Sequence, residues 1–277
     1  MLMLEILRQS LQIVVLVFLM MLVIDFIDVK TRGHFRRLMK GGPWRQYTVA
    51  SFLGATPGCL GAFMNVSMYI HGFLSFGAIV AGMIATSGDE AFVMLAKFPR
   101  QALLLFGILF VIAIPLGWLS DLLAKLLHIV PCKDCDLHEI HEEESVHGHY
   151  LQEHVWKHIV KRHIWRVFLW TFFALLMVHV GLHYWQLEGF VKQHIGLVFL
   201  LSVLIGVIPE SGPHFIFVMM YAEGLIPFSV LLASSISQDG HGMLPLLSYT
   251  IRDALLIKVF NIGAALLAGG LAYWFGW

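Results

Sequence analysis

Charge is scarce in this chain. Eighteen Lys and Arg and eighteen Asp and Glu among 277 residues make 13%, against about 25% in a soluble domain. A soluble core of this size needs a charged shell, so the deficit excludes most soluble classes. Neither sign is in excess, and a formal net charge of +0 points neither to nucleic acid nor to an acidic partner; what matters is where the charges sit. Cysteine is sparse too. Cys59, Cys132 and Cys135 cannot build a secreted disulfide framework. The zinc-hydrolase pattern HExxH is absent, and HEEE at His141 to Glu144 falls in a polar stretch. No other enzyme motif stands out, so the chain reads as a non-enzyme without a prosthetic group.

What is present is apolar: 58% of residues are hydrophobic and the mean hydropathy is +0.79, the signature of a polytopic membrane protein. Full spans are predicted at Leu11 to Ile27, Ala102 to Leu119, Val167 to Leu187, Gly196 to Ile208 and its continuation, and Leu255 to Trp277, where Lys258 is an isolated charge near one end. Lys30, Arg32, Arg36, Arg37, Lys40 and Arg45 come after the first span, and a second basic cluster, Lys157 to Arg166, precedes the span beginning near Val167. The positive-inside rule places both clusters in the cytoplasm. Those two spans then run in opposite directions, as an inverted repeat requires.

A shift of 152 residues aligns Gly54 to Leu104 with Gly206 to Leu256 without a gap, and 16 of the 51 positions are identical. Chance in this composition gives roughly three or four, so the chain carries an internal duplication. The identities include Gly54 with Gly206, Pro57 with Pro209, Tyr69 with Tyr221, Gly88 with Gly240 and Arg100 with Arg252. Each copy is interrupted twice at matching places, by TPG and IPESGP, then by TSGDE and SQDGHG. Unwound backbone at membrane depth is tolerated only beside buried protein or a water-filled cavity, so paired interruptions mark a substrate site. TPG alone reads equally well as a surface loop.

The interruptions carry Asp89 and Glu90 in the first copy and Glu210, His214, Asp239 and His241 in the second. A charge at bilayer depth costs at least about 2.5 kcal/mol, so such groups face the bundle interior and need a partner. A divalent cation is one. Ser87, Gln238, Ser211, Thr56 and Asn65 offer neutral oxygens, and an oxygen-plus-imidazole set suits manganese, ferrous iron, cobalt or zinc better than copper(I) or arsenite. Cys59 is the intramembrane thiol. The same carboxylates and histidines could instead carry coupled protons, or Glu210 and His214 could pair with Arg100 or Arg252 simply to lock helices. Asp25 and Asp28 neutralise Lys30 and Arg32 at the interface, and His179 and His183, four apart, read as neutral packed histidines.

Between the copies lies a segment dense in metal-type side chains: Cys132 and Cys135 as CxxC, then His138, His141, Glu142, Glu143, Glu144, His147, His149, His154, His158 and His163. Its spacing fits no standard zinc finger, but it suits a cytoplasmic loop that collects metal. The chain therefore divides into a first transmembrane repeat, 1–126, a cytoplasmic Cys/His/Glu-rich linker, 127–163, and a second transmembrane repeat, 164–277.

MLVIDFIDVKTRG, PGCLGAF, TSGDEAF, IPESGPH and SSISQDGHGMLPLL resemble the bacterial manganese transporters also described as ten-span heavy-metal exporters or arsenic efflux proteins. The similarity covers nearly the whole chain, with GDEAF and QDGHG its most specific parts. The resemblance implies a metal exporter of the inner membrane. The expected fold is an all-α polytopic membrane protein of two inverted repeats with broken or re-entrant helices, each repeat with three full spans and both termini outside. The expected substrate is a divalent cation, manganese first, with zinc, iron or cobalt as alternatives. The expected mechanism is alternating access, with proton coupling as an option. Ser87, Asp89, Glu90, Glu210, His214, Gln238, Asp239 and His241 are the candidate substrate site. An oxyanion, arsenic or organoarsenical permease using Arg100, Arg252 and helix amino termini is the competing reading. The partners are metal and lipid, not nucleic acid; a homodimer is compatible with the sequence.

Overall fold

The computed structural model describes residues 42–70, 72–128, 165–184 and 187–277, with scattered positions between 6 and 19. The predicted first span, with Asp25 and Asp28, and the Cys/His/Glu-rich linker lie wholly or largely outside the described residues, as do the side chains of His179 and His183. Among the described residues every regular element is helical. In chain order these are α1 (Pro43–Ala55), α2 (Leu60–Ile70), α3 (Phe76–Ile84), α4 (Glu90–Lys97), α5 (Pro99–Leu126), α6 (Trp165–Tyr184), α7 (Leu187–Gln193), α8 (Ile195–Ile205), α9 (Phe215–Ala222), α10 (Phe228–Ser237), α11 (Met243–Tyr249) and α12 (Ile251–Trp274). Short 3-10 turns, Gly212–His214 and Gly240–Gly242, lead into α9 and α11.

The starts of these helices reflect local chemistry. Pro43 and Pro99 open α1 and α5, where their missing N–H costs nothing. Ser75 caps α3 by accepting from Ala78 N at 3.1 Å, and Thr250 caps α12 by accepting from Asp253 N at 3.3 Å. Among the described residues two helices, α5 with 28 residues and α12 with 24, are long and apolar enough to cross a membrane. Of the predicted span at Gly196 to Ile208 and its continuation, α8 supplies 11 residues, about 16 Å at 1.5 Å per residue and half of what crossing requires, before the helix ends at Gly206. Likewise α1 to α4 have 13, 11, 9 and 8 residues. Glycine and proline cut what hydropathy alone reads as long apolar runs.

The element bounds repeat at the interval seen in the sequence: 43 + 152 = 195, 60 + 152 = 212, 76 + 152 = 228 and 99 + 152 = 251 mark paired element starts. Backbone conformation repeats with them. Gly72 and Gly224 have φ of 72° and 70°, and Gly88 and Gly240 have 54° and 52°, left-handed values that glycine adopts without steric penalty. In each copy the middle helix is innermost. α3 is buried at all its positions between α1 and α5, and α10 is buried from Ser229 to Ser237 between α8 and α12. The copies also clasp each other. Tyr69 donates to Asp253 of α12 at 2.6 Å, and its counterpart Tyr221 packs on Phe98, just before α5, with ring centroids 4.9 Å apart.

Asp121 fastens the first copy. Its carboxylate accepts from Tyr47 Oη at 2.7 Å, Ser75 Oγ at 2.7 Å and Gly77 N at 2.6 Å, tying α1, the α3 cap and α5 together. Alanine there leaves three donors short of an acceptor, each worth about 1 to 3 kcal/mol. Asp121→Ala is expected to lower thermal stability in detergent by at least about 2 kcal/mol, with Asp121→Asn losing less; an unchanged melting curve would refute this anchor.

Candidate metal site

The two copies meet at their second interruptions. Gln238 Nε2 donates to Thr86 O at 2.9 Å, Gly88 and Gly240 lie back to back, and Asp89 Oδ2 lies 3.7 Å from His241 Nδ1. Each of these is a pair at the repeat interval (86 + 152 = 238, 88 + 152 = 240, 89 + 152 = 241). Three equivalent pairs thus meet at one place, and the ionisable groups converge where the copies adjoin.

The TPG interruption joins them. Gly58, with φ of 94°, turns the chain so that its N–H donates to Gly88 O at 3.0 Å, and this delivers the next residue, Cys59, into the junction. Cys59 Sγ donates to Asp89 Oδ1 at 3.3 Å and lies 3.6 Å from His241 Nδ1. Cys59, Asp89 and His241 are 6%, 4% and 6% exposed, and their ligand atoms all lie within 4.8 Å of one another. On the other side of the ring, His241 Nε2 is 2.9 Å from Glu210 Oε1. An ion binding sulfur at about 2.3 Å and nitrogen or oxygen at about 2.0 to 2.2 Å in a tetrahedron sets its ligands about 3.3 to 3.6 Å apart. The Cys59 Sγ to His241 Nδ1 separation of 3.6 Å falls at the edge of that range, and Asp89 approaches the thiol with Oδ1 at 3.3 Å and the imidazole with Oδ2 at 3.7 Å, so small side-chain adjustments would close the set on an ion. Three protein ligands leave a fourth position open. A carboxylate behind a ligating histidine orients the ring, and Glu210 stands where it could do so for His241.

Charge favours the same use. A thiolate and a carboxylate cancel a divalent cation, giving a neutral complex in an interior that disfavours net charge.

The remaining candidates occupy other positions. Asp239 pairs with Lys258 of α12 and accepts from Asn261. His214 Nδ1 meets Ser234 Oγ at 3.3 Å. Asn65 is held by Ala50 O at 2.9 Å, inside the packing of the first copy, and Thr56 donates back to Leu53 O. Ser87 Oγ, Glu90 Oε1, Ser211 Oγ, His214 Nε2 and Gln238 Oε1 are buried without hydrogen-bond partners among the described residues. Such atoms are rare in a folded interior and mark places where water or an ion completes the shell. Arg100 and Arg252 lie exposed at the starts of α5 and α12.

Sequence reasoning misses two participants. Cys59 belongs to the cluster, although a lone thiol carries little signal by itself; the usable sign is its place beside the glycine of the TPG interruption, in register with Glu210 one residue earlier. Lys258 reads in sequence as a charge near a span end and is the partner of Asp239.

Gly240→Ala is a test of the junction. Its Cβ would lie 3.2 Å from Ser211 Oγ and 3.5 Å from Gly88 Cα at a φ of 52°, a conformation costing about 1 to 2 kcal/mol for other residues. The variant is expected to lose metal binding more than it loses folded yield; unchanged binding would show that the two interruptions need not touch.

A bundle that mixes membrane-length with half-length helices, and gathers metal-type ligands where the halves break, defines a multi-span metal transporter. A family model described as "Putative, 10TM heavy-metal exporter" matches residues 2–164 and 126–277, and the chain belongs to that family of membrane exporters. No curated protein and no solved structure matches it.

Proposed function

We propose that the chain exports a divalent metal ion across the inner membrane, binding it through Cys59, Asp89 and His241 and exposing it alternately to either side. The observation that carries this reading is the three-ligand cluster at the contact between the two copies. Alternating access suits two copies in contact: with the copies inverted in the membrane, rocking one against the other exchanges the open face. Both termini then lie outside and the linker inside, where its cysteines and histidines collect metal for export. Glu210, whose side chain is 24% exposed against 8% for His241, is the outermost member of the group.

The ligand set refines the substrate. Oxygen and imidazole alone favour manganese; adding Cys59 shifts preference toward zinc, cadmium and cobalt, whose ions accept thiolate more readily. Proton exchange accompanies the cycle, because a thiol must lose its proton to ligate and regains one when the metal leaves.

Purified protein in liposomes loaded with a metal-sensitive dye tests this directly. Zinc and cadmium flux is expected to exceed manganese flux at least about 10-fold, with opposite proton movement. Manganese faster than zinc would overturn the thiol's role, and arsenite flux with no cation flux would replace the reading by the arsenic one.

A further inference from the structure

The second copy holds another cation-binding arrangement, at Asp239. α8 ends at Ile205 and α10 at Ser237, and helix carboxyl ends present unsatisfied carbonyls with partial negative charge. Gly206 O and Ser237 O, at these two ends, converge on Lys258 Nζ at 2.6 and 3.2 Å. The Asp239 carboxylate completes the set by pairing with the same ammonium. Three acceptors therefore meet the three donors of the lysine head. Their convergence depends on Gly206, whose added Cβ would overlap the Ser237 side chain. Asp239 and Asn261 are 0% exposed and Lys258 6%. Asn261, which donates to Asp239, keeps its own Oδ1 buried without a partner among the described residues.

Carboxylate, two carbonyls and a nearby amide oxygen are the ligands of a hard cation, calcium, magnesium or manganese. Broken transporter helices bind ions with such ends. The first copy lacks the arrangement, since Ser87 and Phe106 stand at the positions of Asp239 and Lys258 (87 + 152 = 239, 106 + 152 = 258).

We propose that this is an oxygen-only cation site occupied by the protein's own tethered cation, Lys258. Held there, the ammonium keeps the second break neutral and denies it to hard divalent ions, whatever the Cys59 cluster carries. Lys258 is thus a specificity-determining residue that binds no substrate.

The test is manganese binding to detergent-purified full-length protein, read by electron paramagnetic resonance with cadmium present to fill the thiol cluster. Lys258→Met is expected to take up about one manganese ion per chain, at least 10-fold more tightly than wild type. Lys258→Met with Asp239→Asn is expected to lose that gain. A folded Lys258→Met protein binding manganese no better than wild type overturns the proposal. If that variant is unstable when metal-free, manganese or calcium is expected to raise its melting temperature, and no rise overturns the proposal equally. The cadmium-thiolate absorbance lost on Cys59→Ser, with Cys132 and Cys135 unchanged, reads the Cys59 cluster separately, so failure of the substrate site and failure of the Lys258 site are distinguishable.

Discussion

Asp89→Asn is expected to reduce metal flux by more than about 100-fold while the protein still inserts and purifies as a folded chain. Outer-sphere partners of a metal already change affinity by 10- to 100-fold, and Asp89 supplies both a ligand oxygen and the negative charge that balances the ion. Asparagine keeps the shape and the contact with Cys59 Sγ, 3.3 Å in the native protein, so loss of flux would reflect lost charge rather than lost packing. The set of variants should be graded. Cys59→Ser is expected to weaken cadmium and zinc far more than manganese, since serine exchanges sulfur for oxygen without removing the other ligands. Glu210→Gln is expected to raise the metal concentration for half-maximal flux 10- to 100-fold, because it orients His241 from 2.9 Å without touching the ion. Flux surviving in Asp89→Asn, at wild-type affinity, would remove the cluster as the transport site.

Much of this architecture was legible in sequence, for identifiable reasons. The duplication survived because glycines at left-handed positions, Gly72 with Gly224 and Gly88 with Gly240, tolerate little replacement. The cost of burying Asp89, Glu210 and His241 singled them out before any contact was known. Helix lengths were less legible. Ile195 to Ile208 is apolar apart from Ser202, and hydropathy does not register that the helix ends at Gly206. Pairings across 152 residues or more were harder still. Nothing local in Cys59 announces His241, 182 residues on, because Gly58 and the Gly88–Gly240 approach bring them together. Asp239 shows the limit most plainly: its cost of burial reads the same from sequence whether its partner is a substrate ion or Lys258.

That difference gives Asp239 a different expected phenotype from Asp89. Asp239→Ala removes the counter-charge of Lys258, an ammonium 6% exposed in the interior. Breaking one partner of a buried ion pair costs about 3 to 5 kcal/mol, whereas replacing both with apolar or neutral groups is often close to neutral. Asp239→Ala is therefore expected to depress melting in detergent and reduce folded yield, with transport per folded molecule reduced less than in Asp89→Asn. Combining Asp239→Asn with Lys258→Met is expected to recover part of the stability lost by the single change. The hydrogen bonds of Lys258 to Gly206 O and Ser237 O set the upper limit on recovery, since methionine leaves those carbonyls unpaired at about 1 to 3 kcal/mol each. If Asp239→Ala instead folds as well as wild type and transports nothing, Asp239 belongs among the metal ligands and the ion pair with Lys258 is the resting state of a second substrate position.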